Sequence, residues 1–315
     1  MPEQTPQIFN HQAWIAQRNR AAASFGAFEF LKKLAAERLA ERLQIVRRDF
    51  IDILDFGCHT GQVSRALQEV LAPKAPYHLT ISDHSAAFLN LAAQFVPANA
   101  KAVESVLCEG EHLPVAPQSC DLVLSALYLH WMNDLPGLLA QMRLALRPDG
   151  LACVNLLGGR SLHELRACLS EAESEISGGV SPRCMPMADI RDMGGLLQRA
   201  GFALPVADAE LLTITYPDMF KLMADIRGMG GQNALFGRVP HFTRRQIFMR
   251  AAEIYQDRFT NEDGQITASI ELITLTGWAP DASQPRPLAR GSANTSFDAA
   301  FAGSSDRASE VSGEE

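Results

Sequence analysis

The clearest pattern in the chain is a short apolar run typical of a strand, followed by a glycine-containing turn and an apolar repeat typical of a helix. The run covers residues 51–54, and the turn covers residues 55–61. A strand, a glycine turn and a helix in this order place backbone N–H groups and a helix N-terminus at the carboxyl edge of a parallel sheet. In doubly wound sheets, nucleotide-like ligands bind at this edge. The positions that recur at helical spacing after the turn are Val63, Ala66, Leu67, Val70 and Leu71.

Further apolar runs alternate with helical patterns and extend this unit into a larger sheet. The expected fold class is α/β, with a doubly wound, Rossmann-like, mostly parallel sheet and an antiparallel last strand. An N-terminal helix precedes the sheet, and helical insertions are expected in the second half. The later strands are expected at 78–82, 121–125, 151–156, 206–216 and 266–275, and the main helices at 86–95, 161–176, 189–200, 217–227 and 243–258.

Three regions are expected along the chain. Residues 1–50 form an N-terminal helical cap, residues 51–279 form the main domain, and residues 280–315, rich in Ser, Ala, Gly, Arg and Asp, form a disordered tail. Within the main domain, residues 51–156 are expected to bind a cofactor and residues 157–279 a substrate. The cap contains an amphipathic helix that packs against the sheet or covers the ligand pocket. Its apolar face is formed by Phe30, Leu31, Leu34, Leu39, Leu43 and Val46.

The composition is that of a soluble globular enzyme, because 47% of the 315 residues are hydrophobic. The formal net charge of −8 argues against general nucleic-acid binding. Basic residues near the start alternate with glutamates, and we interpret them as solvated helix faces. These residues are Arg18, Arg20, Lys32, Lys33, Arg38, Arg42, Arg47 and Arg48.

The sequence shows no apolar stretch long enough for a transmembrane segment and no signal peptide. The expected location is therefore the cytoplasm. The cysteines are scattered without a C-x-x-C pair, so we expect reduced core residues and neither disulfides nor a zinc site. They are Cys58, Cys108, Cys120, Cys153, Cys168 and Cys184.

Two acidic residues stand where two of the predicted strands end. Asp55 ends the first strand, and a carboxylate there repels phosphate but pairs well with an ammonium group. This favours a cationic nucleotide that carries an amino acid, and S-adenosylmethionine fits that description. Asp83 ends the second strand, where an acid accepts hydrogen bonds from both ribose hydroxyls. The alternatives are an ordinary turn without a ligand and, at Asp83-Ser85, a helix cap.

The turn resembles the D-x-G-x-G-x-G motif of class I S-adenosylmethionine-dependent methyltransferases. Asp55, Gly57 and Gly61 match, whereas His59 stands in place of the middle glycine and either points outward or crowds the methionine end of the ligand. The resemblance implies that Glu109 lies near the adenine amino group. The cofactor-binding residues expected from the motifs are Asp55, Gly57, Cys58, His59, Gly61, Asp83, Glu109, Gly110 and Ser125.

Further segments resemble a narrower family, the respiratory complex I assembly factors whose mitochondrial members act as arginine hydroxylases. That family is close to the malonyl-acyl-carrier-protein methyltransferases of biotin synthesis. The resemblance implies S-adenosylmethionine as cofactor. It also implies that the partner is an iron–sulfur subunit of complex I, with hydroxylation of one of its arginines. The segments are 125–136, 157–159, 178–182, 216–223, 229–230, 261–264 and 276–278, within a matching region of roughly 8–279.

The candidate catalytic residues follow the fourth strand. His130 could accept a proton or orient a substrate, and Trp131 could stack on a guanidinium or close the methionine pocket. Both could instead be packing residues. Asp134 is a candidate substrate contact or a helix cap, and Arg160 and Tyr216 are candidates for the pocket wall. No metal site is expected, because no histidine stands two residues before an acid.

Three functions are compatible with the sequence. The first is an S-adenosylmethionine-dependent enzyme that modifies a protein arginine by hydroxylation or methylation during complex I assembly. The second is a methyltransferase for a small molecule or a carrier-bound acid. The third is a non-catalytic assembly factor in which a bound nucleotide only orders the fold, and His59 in the turn favours this one.

Overall fold

The structure is a computed structural model that describes residues 7–71 and 75–285. The chain divides into two units, Met1–Asp281 and Ala282–Glu315, and all of the described helices and strands belong to the first. The tail predicted to be disordered lies outside the described residues from residue 286 onward. Over the ranges that the structure describes, no helix has the length and apolarity that crossing a bilayer requires.

Strands of the described ranges form one sheet. They are β1 (Asp52–Phe56), β2 (Tyr77–Asp83), β3 (Ala100–Leu107), β4 (Cys120–Ala126), β5 (Leu146–Leu157), β6 (Ala203–Tyr216) and β7 (Ile266–Trp278). Their order across the sheet is β3-β2-β1-β4-β5-β7-β6. Strands β1 to β5 pair in parallel, whereas β7 pairs antiparallel with both β5 and β6. The predicted mostly parallel sheet with an antiparallel last strand is therefore confirmed.

Helices connect and flank these strands. They are α1 (His11–Ala21), α2 (Phe30–Gln44), α3 (Gln62–Leu71), α4 (Ala86–Ala92), α5 (Leu135–Ala145), α6 (His163–Ser177), α7 (Ile190–Arg199), α8 (Met219–Gly228) and α9 (Arg245–Arg258), with short 3-10 helices at Ala22–Ala27 and Leu129–Trp131.

The central strands are buried and largely apolar because helices cover both faces of the sheet. All residues of β4 are buried, and they alternate between two apolar clusters. Val123 packs into one cluster with Trp14, and Leu122 and Leu124 pack into the other. A third cluster joins α6 and α9 to β7 through residues such as Leu165, Ile254 and Ala268. The helices inserted in the second half thus pack on the antiparallel part of the sheet.

Helix α2 combines the two roles that the sequence left open. Leu39 and Leu43 are buried in the cluster beneath the sheet, so the helix packs on it as expected. Phe30, which was placed on the same apolar face, is 41% exposed instead and borders a large cavity. Lys32 is the second departure, because it is only 3% exposed.

The interpretation of the early basic residues as solvated faces is wrong for several of them. Arg18 and Lys32 are buried. Arg38 and Arg42 form ion pairs with carboxylates of β6 at 2.7 and 2.5 Å, and Arg48 forms an ion pair with Asp149. These pairs tie the N-terminal helices to the second half of the sheet. The cysteines of the described ranges are free, and all except Cys184 are buried.

Candidate active site

The turn after β1 has the backbone conformation that its glycines favour. Gly57 and Gly61 have φ of +85° and +87°, in the left-handed region where a residue without Cβ is unstrained. The N–H groups of Gly57 and Cys58 donate to the Ser82 carbonyl of β2 at 2.8 and 3.0 Å. The turn is therefore fixed to the end of the neighbouring strand.

His59 points inward, which settles one of the alternatives left by the sequence. It adopts φ of +50° and is 5% exposed. Its Nδ1 lies 3.1 Å from the Gly57 carbonyl and its Nε2 lies 2.7 Å from Nη1 of Arg18. A carbonyl only accepts and a guanidinium only donates, so the proton of the neutral ring is on Nδ1. Burial, followed by the positive charges of Arg18 and Lys32, holds the pKa of His59 well below its usual value.

The Asp83 carboxylate at the end of β2 is completely engaged by the protein. Nη2 of Arg18 donates to Oδ1 and Oδ2 at 2.8 and 2.6 Å. The backbone N–H of Ser85 donates to Oδ1 at 2.8 Å, and that of His59 donates to Oδ2 at 3.1 Å. Ser85 also caps α4, as the alternative interpretation proposed. Asp83 is fully buried, so these contacts replace the water that it has lost.

Arg18 of α1 reaches into the same place from the opposite side. Its guanidinium carbon lies 5.0, 4.8 and 5.1 Å from the ring centres of Trp14, Phe88 and Tyr128. Stacking on aromatic faces together with a carboxylate on the open edge is a favourable setting for a buried guanidinium. The side chain is 2% exposed, so Arg18 is a component of the site and not of the solvated surface.

Tyr128 closes the space above the glycine turn. A Cβ placed on Gly57 would lie 2.2 Å from Cγ of this ring, so the tyrosine packs directly on the glycine backbone. Its hydroxyl accepts a hydrogen bond from the His84 N–H at 3.0 Å. The His84 ring in turn contacts the Gly110 carbonyl at 2.6 Å. Gly110, one of the expected cofactor-binding residues, is thereby brought to the same edge, although Glu109 itself is exposed.

Asp55 and Lys32 are two further buried ionisable residues near the turn, and no direct hydrogen bond joins them within the described residues. Nζ of Lys32 donates to the Gly57 carbonyl at 2.8 Å and also to the Ala126 carbonyl. Asp55 is fully buried, and its carboxylate oxygens accept no hydrogen bond from the described residues. Ser125 does not face them, because its hydroxyl donates to the Phe56 carbonyl within the sheet at 2.7 Å.

Burial controls the ionisation of both residues. Loss of hydration raises the pKa of Asp55 to about 7, although the positive charge of Lys32 opposes the rise. Loss of hydration also lowers the pKa of Lys32 to about 8, and here the charge of Asp55 opposes the fall. A buried carboxyl group whose oxygens have no hydrogen-bond partner among the described residues is a suitable partner for an incoming ammonium group.

The raised pKa of Asp55 predicts a specific pH dependence of stability. Between about pH 4 and pH 7, the folded chain keeps a proton on Asp55 that the unfolded chain releases, so the free energy of unfolding is expected to fall as the pH rises. The change from 3.8 to about 7 corresponds to at most roughly 4 kcal/mol. Urea unfolding of wild type and Asp55→Asn at about pH 5 and about pH 7.5 measures it.

The Asp55→Asn variant is expected to lose most of this pH dependence. Asp49→Asn is the matched control, because Asp49 is exposed and lies on the loop before β1. A fall in stability that is equally steep in wild type and Asp55→Asn would contradict the assignment of the raised pKa to this residue.

A large cavity adjoins the turn and extends into the second half of the chain. Its volume is about 1100 Å³, and its near end is formed by Lys32, His59 and His130. The far walls come from α6, α8, α9 and the segment between α8 and α9. Its lining contains one carboxylate among the described residues, Glu173, and this is paired with Arg183 at 2.6 Å. The cationic lining residues are Arg18, Lys32, Arg166, Arg183, Arg227, Arg238 and Arg244.

The two candidate catalytic residues differ in their surroundings. His130 borders the cavity, and its Nδ1 has no hydrogen-bond partner among the described residues. Burial and the charges of Lys32 and Arg18 lower its pKa to about 3, so the ring is neutral near pH 7 and a weak base. Trp131 packs against Phe9 and Trp14, with ring centres 5.4 and 6.0 Å away. These contacts favour the packing interpretation of Trp131.

The remaining candidates are distributed differently. Asp134 caps α5 by accepting from the Gly137 N–H at 2.8 Å, which confirms the cap interpretation. Tyr216 lines the cavity, whereas Arg160 is exposed outside it. Within the described ranges, no group of three or more His, Cys, Asp and Glu side chains is placed to hold a metal ion.

The residue types at this edge suit S-adenosylmethionine, but in this structure side chains of the chain itself occupy part of the place that it would fill. Asp55 offers a buried carboxylate for an ammonium group, and Asp83 is the expected partner of a ribose diol. However, Arg18 occupies the acceptor positions of Asp83, and Tyr128 covers Gly57. A ribose diol could therefore hydrogen-bond Asp83 only after Arg18 had moved.

Sequence reasoning missed the residues that close the site. Trp14 and Arg18 stand four residues apart and therefore share one face of α1. This spacing was the available signal, but an arginine in a polar helix is typical of a solvated surface. Tyr128 lies within a segment that the sequence had singled out for its neighbours His130 and Trp131.

Comparisons with known proteins identify the chemistry associated with this architecture. A family model described as a methyltransferase domain matches residues 54–154. The chain is 37% identical over 292 residues to the arginine hydroxylase NDUFAF5 of Mus musculus. This match covers 92% of this chain and 82% of that protein. It is 33% identical over 283 residues to the malonyl-[acyl-carrier protein] O-methyltransferase of Laribacter hongkongensis. This match covers 88% of this chain and 92% of that protein.

Solved structures support the same fold. The YcgJ protein of Bacillus subtilis superimposes with a TM-score of 0.53 over 77% of this chain and 98% of that chain. The sequence identity is only 14%, so this likeness concerns the architecture alone.

Proposed function

Because the chain belongs to the S-adenosylmethionine-dependent methyltransferase family that includes the arginine hydroxylase NDUFAF5, we propose that it modifies an arginine side chain of a partner protein. The observation that carries this proposal is the 37% identity, which extends over 92% of the chain and so includes the second half that surrounds the cavity. The malonyl-carrier methyltransferase is also a relative, at 33% identity.

The partner that we propose is an iron–sulfur subunit of respiratory complex I, as the resemblance of the second-half segments implies. The reaction would then take place in the cytoplasm of a bacterium, or in the mitochondrial matrix of a eukaryote. The proposed modification is hydroxylation, with methylation of the same side chain as the alternative. Hydroxylation inserts one oxygen atom into a C–H bond, so dioxygen and a two-electron reductant are its co-reactants.

Residues of the chain itself shape the site where the substrate side chain would enter. The cavity leads from the segment between α8 and α9 to His130, Lys32 and His59 at the end of the sheet. Apolar residues also contribute to the cavity wall, with Trp131 and Met229 among them. An apolar passage of this kind excludes water from a bound side chain and fixes its orientation.

One observation favours a second candidate, a methyltransferase for a carrier-bound acid. The described lining carries seven cations and one carboxylate. Arg18 and Arg183 are paired with Asp83 and Glu173, which leaves five cations without an ion pair among the described residues. Such a lining attracts an anionic acyl group and repels a guanidinium. The second relative acts on a malonyl group, which carries a free carboxylate.

Mass spectrometry of the products distinguishes the two candidates. The purified chain is incubated with S-adenosylmethionine, dioxygen and a reductant, and either the iron–sulfur subunit or a malonyl-carrier protein is added. A gain of one oxygen or one CH₂ group on an arginine of the subunit supports the proposal. A gain of one CH₂ group on the malonyl carboxylate supports the second candidate. No modification of either substrate by a chain that binds S-adenosylmethionine would contradict both.

Charge reversal in the cavity wall sharpens this comparison. Arg227→Glu is expected to weaken the use of an anionic acyl substrate by about three- to tenfold, because one attractive charge becomes repulsive. The same change is expected to leave or improve the use of an arginine substrate. Arg191→Glu is the matched control, because Arg191 is also exposed and lies on α7 outside the lining.

A further inference from the structure

We propose that helix α1 is an internal competitor of the cofactor, with Arg18 held where the ribose diol must bind. In this state the site is closed, and S-adenosylmethionine binds only after α1 has withdrawn Arg18 from Asp83. The proposal rests on the cofactor of the family and on the geometry of the turn, and it is independent of which substrate is modified.

The hydrogen bonds of Asp83 provide the first argument. A carboxylate offers about four acceptor positions, and Asp83 receives four contacts. Two come from Nη2 of Arg18, one from the Ser85 N–H and one from the His59 N–H. A ribose diol brings two hydroxyl donors. The backbone contacts belong to the fold of the turn, so the contacts of Arg18 are those that the diol must replace.

The aromatic residues around Arg18 provide the second argument. Trp14, Phe88 and Tyr128 surround the guanidinium within 5.1 Å of its carbon, and Tyr128 covers the backbone of Gly57. A nucleotide must approach that glycine backbone closely. Arg18 and Tyr128 therefore pack on each other in the space above the turn. Displacement of Arg18 removes its contact with the tyrosine ring.

The attachment of α1 defines what its withdrawal must break, and this includes the packing of Trp14 in a core cluster with Val123 of β4. Before the helix, the N–H groups of Ile8 and Phe9 donate to the Asn133 side chain at 2.8 Å. Within it, Nε2 of Gln17 donates to the Asn233 carbonyl at 3.2 Å. Asn233 belongs to the segment that lines the cavity. Withdrawal of α1 thus couples cofactor binding to the cavity wall.

The direct test is calorimetric titration of S-adenosylmethionine into wild type, Arg18→Met and Arg20→Met. Methionine preserves much of the length of the side chain and removes the competing charge and donors. Arg18→Met is expected to bind at least tenfold more tightly than wild type. Arg20→Met, which changes an exposed arginine of the same helix, is expected to bind like wild type.

Hydrogen exchange of the wild-type protein provides a second test that needs no variant. A ligand that packs beneath a helix slows hydrogen exchange of the backbone amides of that helix. Displacement of the helix accelerates the exchange of the same amides. We expect the backbone amides of residues 11–21 to exchange faster at saturating S-adenosylmethionine. Amides of β4 in the centre of the sheet serve as the internal control and are expected not to accelerate.

The outcomes separate the proposal from the choice of cofactor. Equal or weaker binding by Arg18→Met, or slower exchange of α1 in the complex, overturns the competition by Arg18. Absence of binding by both wild type and Arg18→Met contradicts the cofactor as well. If Arg18→Met does not fold, the exchange of residues 11–21 in wild type decides the question alone.

Discussion

Replacement of Asp83 by asparagine is expected to lower the free energy of unfolding by about 3–5 kcal/mol, because it leaves the guanidinium of Arg18 buried without a counter-charge. The ion pair has side chains that are 2% and 0% exposed and a separation of 2.6 Å. Urea unfolding followed by circular dichroism measures the change. The urea concentration at the midpoint is expected to fall, and the dependence of the unfolding free energy on urea is expected to stay the same.

Two further variants show whether the loss comes from the unpaired charge. Asp208→Asn removes a carboxylate that pairs with Arg42 at the surface, where the Asp208 side chain is 43% exposed. This variant is expected to lose less than about 1 kcal/mol of the free energy of unfolding. The double variant Arg18→Met with Asp83→Asn is expected to recover much of the stability, since neither buried charge remains. A double variant no more stable than Asp83→Asn would contradict this account.

Replacement of Gly57 by alanine is expected to destabilise the chain by roughly 3 kcal/mol or more. Two effects add: the left-handed conformation at φ of +85° costs about 1–2 kcal/mol for a residue with Cβ, and overlap with Tyr128 costs about 1–3 kcal/mol. The same substitution is also expected to abolish cofactor binding, because the added carbon narrows the turn where the ligand approaches. Thermal unfolding and calorimetric titration measure the two effects.

Gly264→Ala separates strain from overlap. Gly264 has φ of +77°, but a Cβ there meets nothing within 4 Å. It is therefore expected to show the cost of conformation alone, about 1–2 kcal/mol. If Gly57→Ala and Gly264→Ala lose the same stability, Tyr128 does not pack on the turn as tightly as the structure indicates.

The architecture could be predicted from the sequence because each central strand is a short, continuous apolar run. Strand β4 was expected at 121–125 and is found at Cys120–Ala126, since a strand buried on both faces admits few polar residues. Strand β3 was not predicted, because much of it is exposed at the sheet edge and its apolar pattern is weak. Helix α1 lies within the helical cap predicted at residues 1–50, but its own bounds were not predicted because the segment is largely polar.

The site could be predicted only as far as residue types and strand ends define it. Asp55, Gly57 and Asp83 meet at one edge because parallel strands end together. The contact between Arg18 and Asp83 joins residues 65 positions apart, and no local pattern reports it. Lys32 was misjudged for a related reason: its charge indicates a solvated face, but its amine reaches two buried carbonyls.

The position of β7 has a consequence for synthesis of the protein on the ribosome. Strands β1 to β5 can pair as they emerge, but β5 and β6 are joined only through β7, the last strand of the described chain. A nascent or truncated chain that stops before Ile266 therefore exposes the free edge of β5 while β6 has no neighbour. Unpaired edges of this kind recruit other chains. Because the chain is synthesised from its N-terminus, β5 and β6 are protected from pairing with other chains only once β7 has been completed.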